Sequence, residues 1–420
     1  MTTRFLAQVL AQARSGAWLD GRRARDYGVA LGTLYFAACL GLVLWSGAAA
    51  LGNLDFTSFY AAGRLALIDP ASVYDLTAHY AMEKAVTGNP SLDYSYFFYP
   101  PVFLLLCAPL ATLPYAPAYA VWGTLQLGCY ALALRQVVGR SATIAPYIAF
   151  PAGLLALVMG QNAMLTAALF AGATAALAAR REILAGVLFG LICYKPHFGL
   201  LIPVALLAGR CWRAVAAAAA TVAGLVLVSA AIFGVSAWLA YIDSFLHATV
   251  GVYGAADAGA TTMGSGVPAW WLISPYGTAL SFGFGRAAAL TLQTIVALAA
   301  AGVVAAIWRR RESGPAVKAM ALLAGTMLSV PVILYYDSLP VAVCLAWAAV
   351  EARRTGWLPW EKSFFLAAFV VSLVEGLLHD LVHTPALLVV TLGVMAFASR
   401  RAMLAWSRAE QAAEPQALLG

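Results

Sequence analysis

Charge is what this sequence has least of. Lys, Arg, Asp and Glu together make up 10% of the 420 residues, whereas hydrophobic residues make up 63%. A soluble domain of this length needs far more charge to cover its surface, so the composition excludes a soluble enzyme. Long apolar runs with short polar breaks are instead typical of helices that cross a membrane several times, and they disfavour barrel strands.

Paired cysteines and glycine-rich phosphate loops are absent as well. The six cysteines have no paired spacing and lie mostly within apolar runs, which indicates small buried side chains. No P-loop or dinucleotide fingerprint occurs, so we expect no ATP or nucleotide-sugar site. His379 and His383 have metal-ligand spacing but lack the HExxH context of a zinc enzyme. We therefore expect no metal and no cofactor, and the role of the two histidines stays open.

The apolar runs divide the chain into three parts. A weakly amphipathic segment at 1–27 is expected to lie on the cytoplasmic face, and a polar tail at 400–420 is expected in the cytoplasm. Residues 28–399 form a single transmembrane domain, which two long polar loops interrupt at 51–96 and 235–285. The predicted fold is an all-α polytopic bundle of about twelve transmembrane or partly spanning helices, with further helices in the loops.

The basic residues determine the predicted orientation. Of the 25 Lys and Arg, all but Arg64, Lys84, Lys195 and Arg286 fall where they can be cytoplasmic. Under the positive-inside rule, this bias places both termini in the cytoplasm and both long loops on the far side. We therefore expect a multi-pass protein of the plasma (inner) membrane whose site faces the periplasm or the outside.

One inconsistency remains in this topology. The chain divides into thirteen apolar segments, and an odd number cannot return the C-terminus to the side of the N-terminus. Segments 97–113 and 142–158 both contain internal prolines, so one of them is expected not to span or to merge with a neighbour. The sequence favours neither of the two.

A broken helix is predicted at the motif CYKPHFG. The apolar halves 183–194 and 196–208 are each too short to cross a core of ~30 Å, and the proline at their junction cannot continue a helix. Irregular backbone at membrane depth is tolerated where it lines protein or a cavity. Lys195 and His197 are therefore expected to point into a cavity.

Polar residues gather at the non-cytoplasmic ends of the predicted spans. An ionisable residue in or beside the membrane is costly, and it is a functional candidate for that reason. Each also has a structural alternative: Asp55 as a helix N-cap, Lys195 as a snorkelling side chain, Asp337 as a cap of the next helix. The candidates are Asp55, Tyr60, Arg64, Gln161, Asn162, Lys195, His197, Tyr336 and Asp337.

Such a set suits sugar transfer from a lipid-linked anionic donor. A carboxylate can deprotonate the hydroxyl of an acceptor. A cationic side chain can hold the phosphate leaving group and neutralise its developing charge, and we predict this role for Lys195 with Arg64 or His197 assisting. The aromatic candidates suit sugar faces and isoprenoids alike.

An ordered series of motifs carries a resemblance to a known family. The motifs run from residue 55 to residue 337 and are DFTSFYAAGRLAL, DPASVYD, FFYPPVFLLLCAPLATLPY, MGQNAMLTAALFAG, LAGVLFGLICYKPHFGLLIPVALLAGRCWRA and PVILYYD. With them the chain resembles glycosyltransferase family 87, membrane enzymes of the GT-C class that are similar to polyprenyl-phosphate-mannose-dependent mannosyltransferases. The loop 235–285 and the last two spans match poorly, and we expect acceptor identity to reside there.

The resemblance implies metal-independent transfer of a mannose-like hexose from a polyprenyl-phosphate donor to a glycolipid or glycan acceptor, with inversion at the donor carbon. It also implies that Asp55 is the general base. The bilayer, the donor and the acceptor are then the partners. No nucleic acid is expected, because the net charge of +7 comes from basic clusters between apolar runs. Two other functions stay open: a lipid-linked glycan transporter or flippase, which would show paired broken helices, and a surface-polysaccharide polymerase.

Overall fold

The computed structural model describes residues 2–45, 54–254, 271–382 and 386–417. The described residues are 81% helical. The described ranges hold no strand, and their only β-type pairing is one isolated antiparallel bridge. The predicted all-α class is therefore confirmed.

The described residues contain eighteen α-helices, numbered α1 to α18 in chain order. Seven of them carry a proline in the first turn, where its missing N–H leaves no hydrogen bond unmade. The helices are Thr2–Ser15, Gly21–Trp45, Asp55–Ala66, Leu76–Thr87, Pro101–Leu110, Tyr115–Val138, Ala145–Ile148, Pro151–Met159, Ala163–Ala178, Glu182–Gly190, Ile202–Ala208, Trp212–Gly254, Pro275–Ser281, Arg286–Arg309, Pro315–Ser329, Pro340–Thr355, Glu361–Val382 and Ala386–Ala417.

Three of these helices are long and apolar enough to cross a membrane. The candidate spans are Trp212–Leu246 within α12, Arg286–Arg309, which is α14, and Ala386–Ala412 within α18. The structure thus supports a membrane protein, and the count of about twelve spans stays a prediction.

The two segments suspected of not spanning both contain only short helices. Within 97–113, α5 has ten residues, which gives a length of about 15 Å. Segment 142–158 is divided before Pro151 into α7, with four residues, and α8. Neither segment therefore holds a helix that can cross ~30 Å alone.

The predicted broken helix is present. Helix α10 ends at Gly190, two short 3-10 turns follow at Leu191–Tyr194 and Pro196–Gly199, and α11 begins at Ile202. Lys195 lies between the two turns with non-helical φ −130° and ψ 69°. Proline at this junction removes a helix donor and restricts the residue before it, so the break follows from the sequence.

Helix α3, Asp55–Ala66, is held by close backbone approaches that need glycine. A Cβ on Gly63 would lie 2.2 Å from the carbonyl oxygen of Cys107 on α5. Gly160 ends α8 at φ +69°, and a Cβ there would lie 2.5 Å from Cβ of Phe56. These two contacts fix α3 against α5 and bring its first turn beside the residue that follows Gly160.

Helix α1 docks on α17 and leaves an apolar face uncovered. Ser363 Oγ donates to the carbonyl of Ala13 at 2.5 Å, and Lys362 Nζ donates to the carbonyl of Leu19 at 3.0 Å. The exposed apolar side chains of α1 are Phe5, Leu6, Val9 and Leu10. This face suits a helix that lies on a membrane surface, as predicted for the segment 1–27.

Candidate active site

The largest concentration of sequence candidates lines one cavity of about 520 Å³. Its walls come from α3, from the segment 94–99, from the broken helix, from α12 to α14 and from the segment 330–337. Its volume falls in the range of ligand-binding sites. Six of the nine candidates line it: Asp55, Gln161, Lys195, His197, Tyr336 and Asp337.

Asp55 is the first residue of α3 and faces this cavity. The N-cap position belongs to Leu54, which makes no side-chain capping bond, so the N-cap interpretation of Asp55 is wrong. The Asp55 carboxylate instead accepts a hydrogen bond from the side chain of Gln161. Burial raises the pKa of Asp55 from 3.8 to about 6, with Gln161 and Lys195 lowering it and the charge of Asp337 raising it. The carboxyl group can therefore release and accept a proton near neutral pH.

Gln161 connects Asp55 to the opposite wall. Its Nε2 donates to the hydroxyl of Tyr336 at 3.1 Å, and its Oε1 accepts from the backbone N–H of Asn162 at 3.1 Å. Asn162 stands just before α9 but makes no side-chain cap. Asn162 therefore precedes α9 without capping it and accepts from Lys195 through Oδ1, while the side chain of Gln161 lines the cavity.

Lys195 and Asp337 form a buried ion pair. Lys195 Nζ donates to Asp337 Oδ1 at 2.5 Å and to Asn162 Oδ1 at 3.1 Å, and the two charged side chains are 4% and 7% exposed. Lys195 therefore does not snorkel, and Asp337 does not cap α16, whose N-cap makes no side-chain bond. The positive charge of Lys195 is largely offset before any substrate binds, which weakens its predicted role as the donor-phosphate ligand.

Three sequence candidates do not line the cavity: Asn162, whose Oδ1 accepts from Lys195, and Tyr60 and Arg64 on α3. Arg64 is exposed, with Nη1 3.5 Å from the carbonyl of Ala111, and the hydroxyl of Tyr60 donates to the carbonyl of Leu113 at 2.7 Å. At about 100° per residue, Tyr60 and Arg64 lie roughly 140° and 180° around α3 from Asp55. Their predicted contact with the donor is therefore corrected: they anchor the far side of α3.

Among the cavity residues that the sequence analysis did not select, Ser58 and Arg286 carry polar groups suited to a substrate. Ser58 lies one turn after Asp55 on the same face, and its buried Oγ has no hydrogen-bond partner among the described residues. Arg286, the first residue of α14, also lines the cavity. Its signal was in the sequence, since it is one of the four basic residues that the positive-inside rule left unexplained.

Behind α3 lies a buried pair that sequence analysis also missed. His79 and Glu83 are fully buried on α4, with Nδ1 and Oε1 3.6 Å apart. His79 Nε2 lies 3.2 Å from the carbonyl of Ser58, and the N–H of Ser95 donates to Glu83 Oε2 at 3.1 Å. Burial lowers the pKa of His79 to about 4 and raises the pKa of Glu83 to about 8. His79 and Glu83 therefore connect α3, at Ser58, to the cavity wall at Ser95, and both side chains are uncharged near pH 7.

Within the part of the chain that the structure describes, no three His, Cys, Asp or Glu side chains come together as a metal site. His383 and the side chain of His379 fall outside the described part, so their role stays open. The cationic side chains that could hold a phosphate in the cavity are Lys195 and Arg286.

Comparison with known proteins identifies the family. No curated protein and no solved structure matches the chain. The model of glycosyltransferase family 87 matches residues 97–334, more than half of the chain. The match includes Lys195 and Arg286, whereas Asp55 precedes it and Asp337 follows it. The chain belongs to glycosyltransferase family 87 and is a membrane glycosyltransferase.

Proposed function

We propose that this protein transfers a mannose-like hexose from a polyprenyl-phosphate sugar to a glycan or glycolipid acceptor. The cavity takes the donor sugar and the acceptor hydroxyl, and Asp55 acts as the general base. The cavity faces the periplasm or the outside of the plasma membrane, because the basic clusters of the sequence fall on the other face.

The reaction needs one base and one cationic clamp. The acceptor oxygen attacks the anomeric carbon, its proton passes to the Asp55 carboxylate, and the carbon–oxygen bond to phosphate breaks. The bonding electrons leave with the polyprenyl phosphate, and the configuration at the anomeric carbon inverts. The phosphate is already a good leaving group, so no second acid is required, unlike the carboxylate pair of a glycosidase.

The neighbours of Asp55 support this role. The hydrogen bond from Gln161 fixes the carboxylate in place, and the hydroxyls of Ser58 and Tyr336 are positioned to contact sugar hydroxyls. The ion pair between Lys195 and Asp337 adds two further polar groups to the lining of the same cavity.

One observation carries the proposal. A carboxylate whose pKa is raised toward neutrality stands in the same cavity as two cationic side chains, in a member of a glycosyltransferase family. Family membership favours transfer over a transporter or flippase. A polysaccharide polymerase would use the same chemistry with a longer acceptor.

A reconstituted assay tests the proposal. The purified protein in proteoliposomes is given a radiolabelled polyprenyl-phosphate hexose and an acceptor lipid extract, with nucleotide sugars as the control donors. We expect label in the acceptor from the polyprenyl donor alone. Transfer from a nucleotide sugar, or movement of an intact lipid-linked glycan across the bilayer without transfer, would contradict it.

A further inference from the structure

A second cavity, here called the arginine groove, lies where α10 packs on the start of α12. Its volume is about 530 Å³, and Arg180, Arg181 and Arg213 line it together with the carboxylate of Glu182. The three arginines outnumber the one carboxylate. The groove is therefore positively charged and suits an anion.

Close packing of two helices fixes the walls of the arginine groove. A Cβ on Gly186 of α10 would lie 2.3 Å from the carbonyl oxygen of Ala214 on α12, and a Cβ on Gly190 would lie 2.7 Å from Cβ of Thr221. The two backbones therefore meet, and Arg213 is held beside the first turns of α10. The groove is thus part of the packed fold.

The arginines of the groove have no protein partner for their charges. Within the described ranges, none of the three guanidinium groups forms an ion pair or a side-chain hydrogen bond. Other arginines on the predicted cytoplasmic face do have partners, since Arg401 pairs with Glu361 and Arg310 pairs with Glu410. The positive charge of the groove is therefore available to a ligand.

Arg180 occupies a backbone position that favours glycine. Its φ is +59°, and the N–H groups of Arg180 and Arg181 donate to the carbonyls of Leu177 and Ala176 at 2.9 and 2.8 Å. This pattern closes the C-terminal end of α9, where the left-handed residue is usually glycine. An arginine there has a backbone cost that the turn does not require, which indicates a use for its side chain.

The apolar wall of the groove indicates the source of the anion. Ile183 and Leu184 both line it, and they are 63% and 45% exposed. The groove lies beside the start of α12, whose candidate span is the least buried of the three and is suited to contact lipid. A free phosphate ion gains nothing from aliphatic side chains, whereas a phospholipid presents a phosphate and acyl chains together.

The groove and the candidate active site lie at opposite ends of α12. The helix runs without a break from Trp212 to Gly234, where φ is +83°, a length of about 33 Å. Tyr241, which lines the candidate active site, lies beyond this point. Because the bilayer core is ~30 Å thick, the groove falls at the depth of the lipid headgroups on the face away from that site.

We propose that the arginine groove binds an anionic phospholipid of the leaflet that the basic clusters mark as cytoplasmic. Arg180, Arg181 and Arg213 hold the lipid phosphate through the paired N–H donors of their guanidinium groups. Ile183 and Leu184 contact the acyl chains. Binding at this site does not require sugar transfer, so its test is independent of the assay for the proposed function.

Lipid binding by a triple variant tests the charge of the groove. The purified protein in a neutral detergent is titrated with phosphatidylglycerol or phosphatidylcholine, and native mass spectrometry counts the bound lipids. We expect the wild type to prefer phosphatidylglycerol. Replacing Arg180, Arg181 and Arg213 with glutamine should weaken this binding by about ten- to a hundredfold or more, because charge-assisted hydrogen bonds to the phosphate are lost.

A matched control removes the same charge elsewhere on that face. It replaces Arg309, Arg310 and Arg311 with glutamine, since these three arginines are exposed and do not line the groove. Equal losses of phosphatidylglycerol binding in the two triple variants, or a wild type without preference for phosphatidylglycerol, would overturn the proposal.

Arg180→Gly separates lipid binding from folding. Glycine fits φ +59° better than arginine, so this variant should keep or raise the thermal unfolding temperature in lipid-free detergent and yet bind phosphatidylglycerol more weakly. This variant decides if the triple variant fails to fold. Unchanged affinity for phosphatidylglycerol, whatever the stability, would remove Arg180 from the site.

Two further measurements distinguish a lipid from a free anion. Inorganic phosphate should not displace phosphatidylglycerol, and Ile183→Ser should weaken phosphatidylglycerol binding. Leu227→Ser is the control, because Leu227 is 70% exposed on α12 and lies outside the groove. Displacement by inorganic phosphate, or equal effects of the two serine variants, would overturn the assignment to a lipid.

Discussion

Asp55 and Asp337 share one cavity but have different partners. Lys195 offsets the charge of Asp337 at 2.5 Å, whereas the strongest influence that lowers the pKa of Asp55 is the hydrogen bond from the neutral side chain of Gln161. Burial penalises the charge of Asp55 most, which raises the pKa of its carboxyl group. Environment therefore separates the two aspartates, and it favours Asp55 as the proton acceptor.

The raised pKa of Asp55 predicts an acidic limit to activity. A general base must be ionised, so kcat/KM should fall as pH drops through about 6 and should be level above it. Because the Gln161 hydrogen bond lowers this pKa, Gln161→Leu should move the limit to higher pH. Rates at pH 5 to 8 measure both. A Gln161→Leu profile that shifts to lower pH would contradict the assigned contact.

Because Lys195 and Asp337 form a buried ion pair, we expect removal of the Lys195 charge to lower the stability of the protein and not simply to weaken donor binding. Lys195→Met leaves a buried carboxylate unpaired, which typically costs about 3–5 kcal/mol. The double variant Lys195→Met with Asp337→Leu should recover much of that stability. Thermal unfolding in detergent measures both.

Glu410→Gln is the control for this pair, because it breaks an exposed ion pair with Arg310 and should change stability by at most about 1 kcal/mol. Equal stability of Lys195→Met and Glu410→Gln would show that the buried pair is not formed.

At the scale of elements, the position of α3 determines which side chains enter the site. The sequence correctly predicted a break at Lys195, because Pro196 is a local signal, whereas the cap suggested for Asp55 is not formed and Leu54 holds the N-cap position of α3. It could not predict which face of α3 meets the cavity. That depends on the contact of Gly63 with Cys107, which lies 44 positions away along the chain.

The His79–Glu83 pair on α4 is expected to contribute to stability through its contacts with α3 and with the N–H of Ser95. Burial keeps Glu83 protonated near pH 7, so Glu83→Gln should leave thermal stability nearly unchanged, whereas Glu83→Ala leaves the N–H of Ser95 unpaired and should cost about 1–3 kcal/mol. The folded pKa of about 8 exceeds the unfolded value of 4.5, so stability should decline as pH rises from 7 to 9.

The Glu83→Gln protein is the internal control, since it should lose this part of the pH dependence. His79 contributes no slope in that range, because its folded and unfolded pKa values of about 4 and 6.5 both lie below pH 7. A Glu83→Gln protein that keeps the wild-type slope would assign the pH dependence to other groups.

At the scale of the whole molecule, composition predicted the class and left the number of spans undetermined. Scarce charge and long apolar runs suffice to predict a helical membrane protein. Several apolar segments fold into short helices instead, such as α5 and α8, because prolines interrupt them. The aggregate hydropathy of a segment does not distinguish a buried short helix from a span.

Cysteine labelling tests the predicted orientation. Thr77 on α4 and Glu312 after α14 are exposed, whereas Ser313 is buried and its Oγ accepts from Trp406 Nε1 at 2.9 Å. In a background without the native cysteines, Thr77→Cys should react with an impermeant maleimide from outside intact cells, and Glu312→Cys should react only after the cells are opened. The reverse pattern would invert the topology.

The most direct test of the central claim compares three aspartate variants in the transfer assay. Asp55→Asn keeps the shape of the side chain but cannot take the proton, so it should fold, bind the donor and lose turnover by roughly 10²–10⁴-fold. Asp75→Asn should remain near wild type, because Asp75 caps α4 away from the cavity and asparagine is an equally good cap. Normal turnover by Asp55→Asn, together with a folded but inactive Asp337→Asn, would place the base at Asp337 and contradict this account.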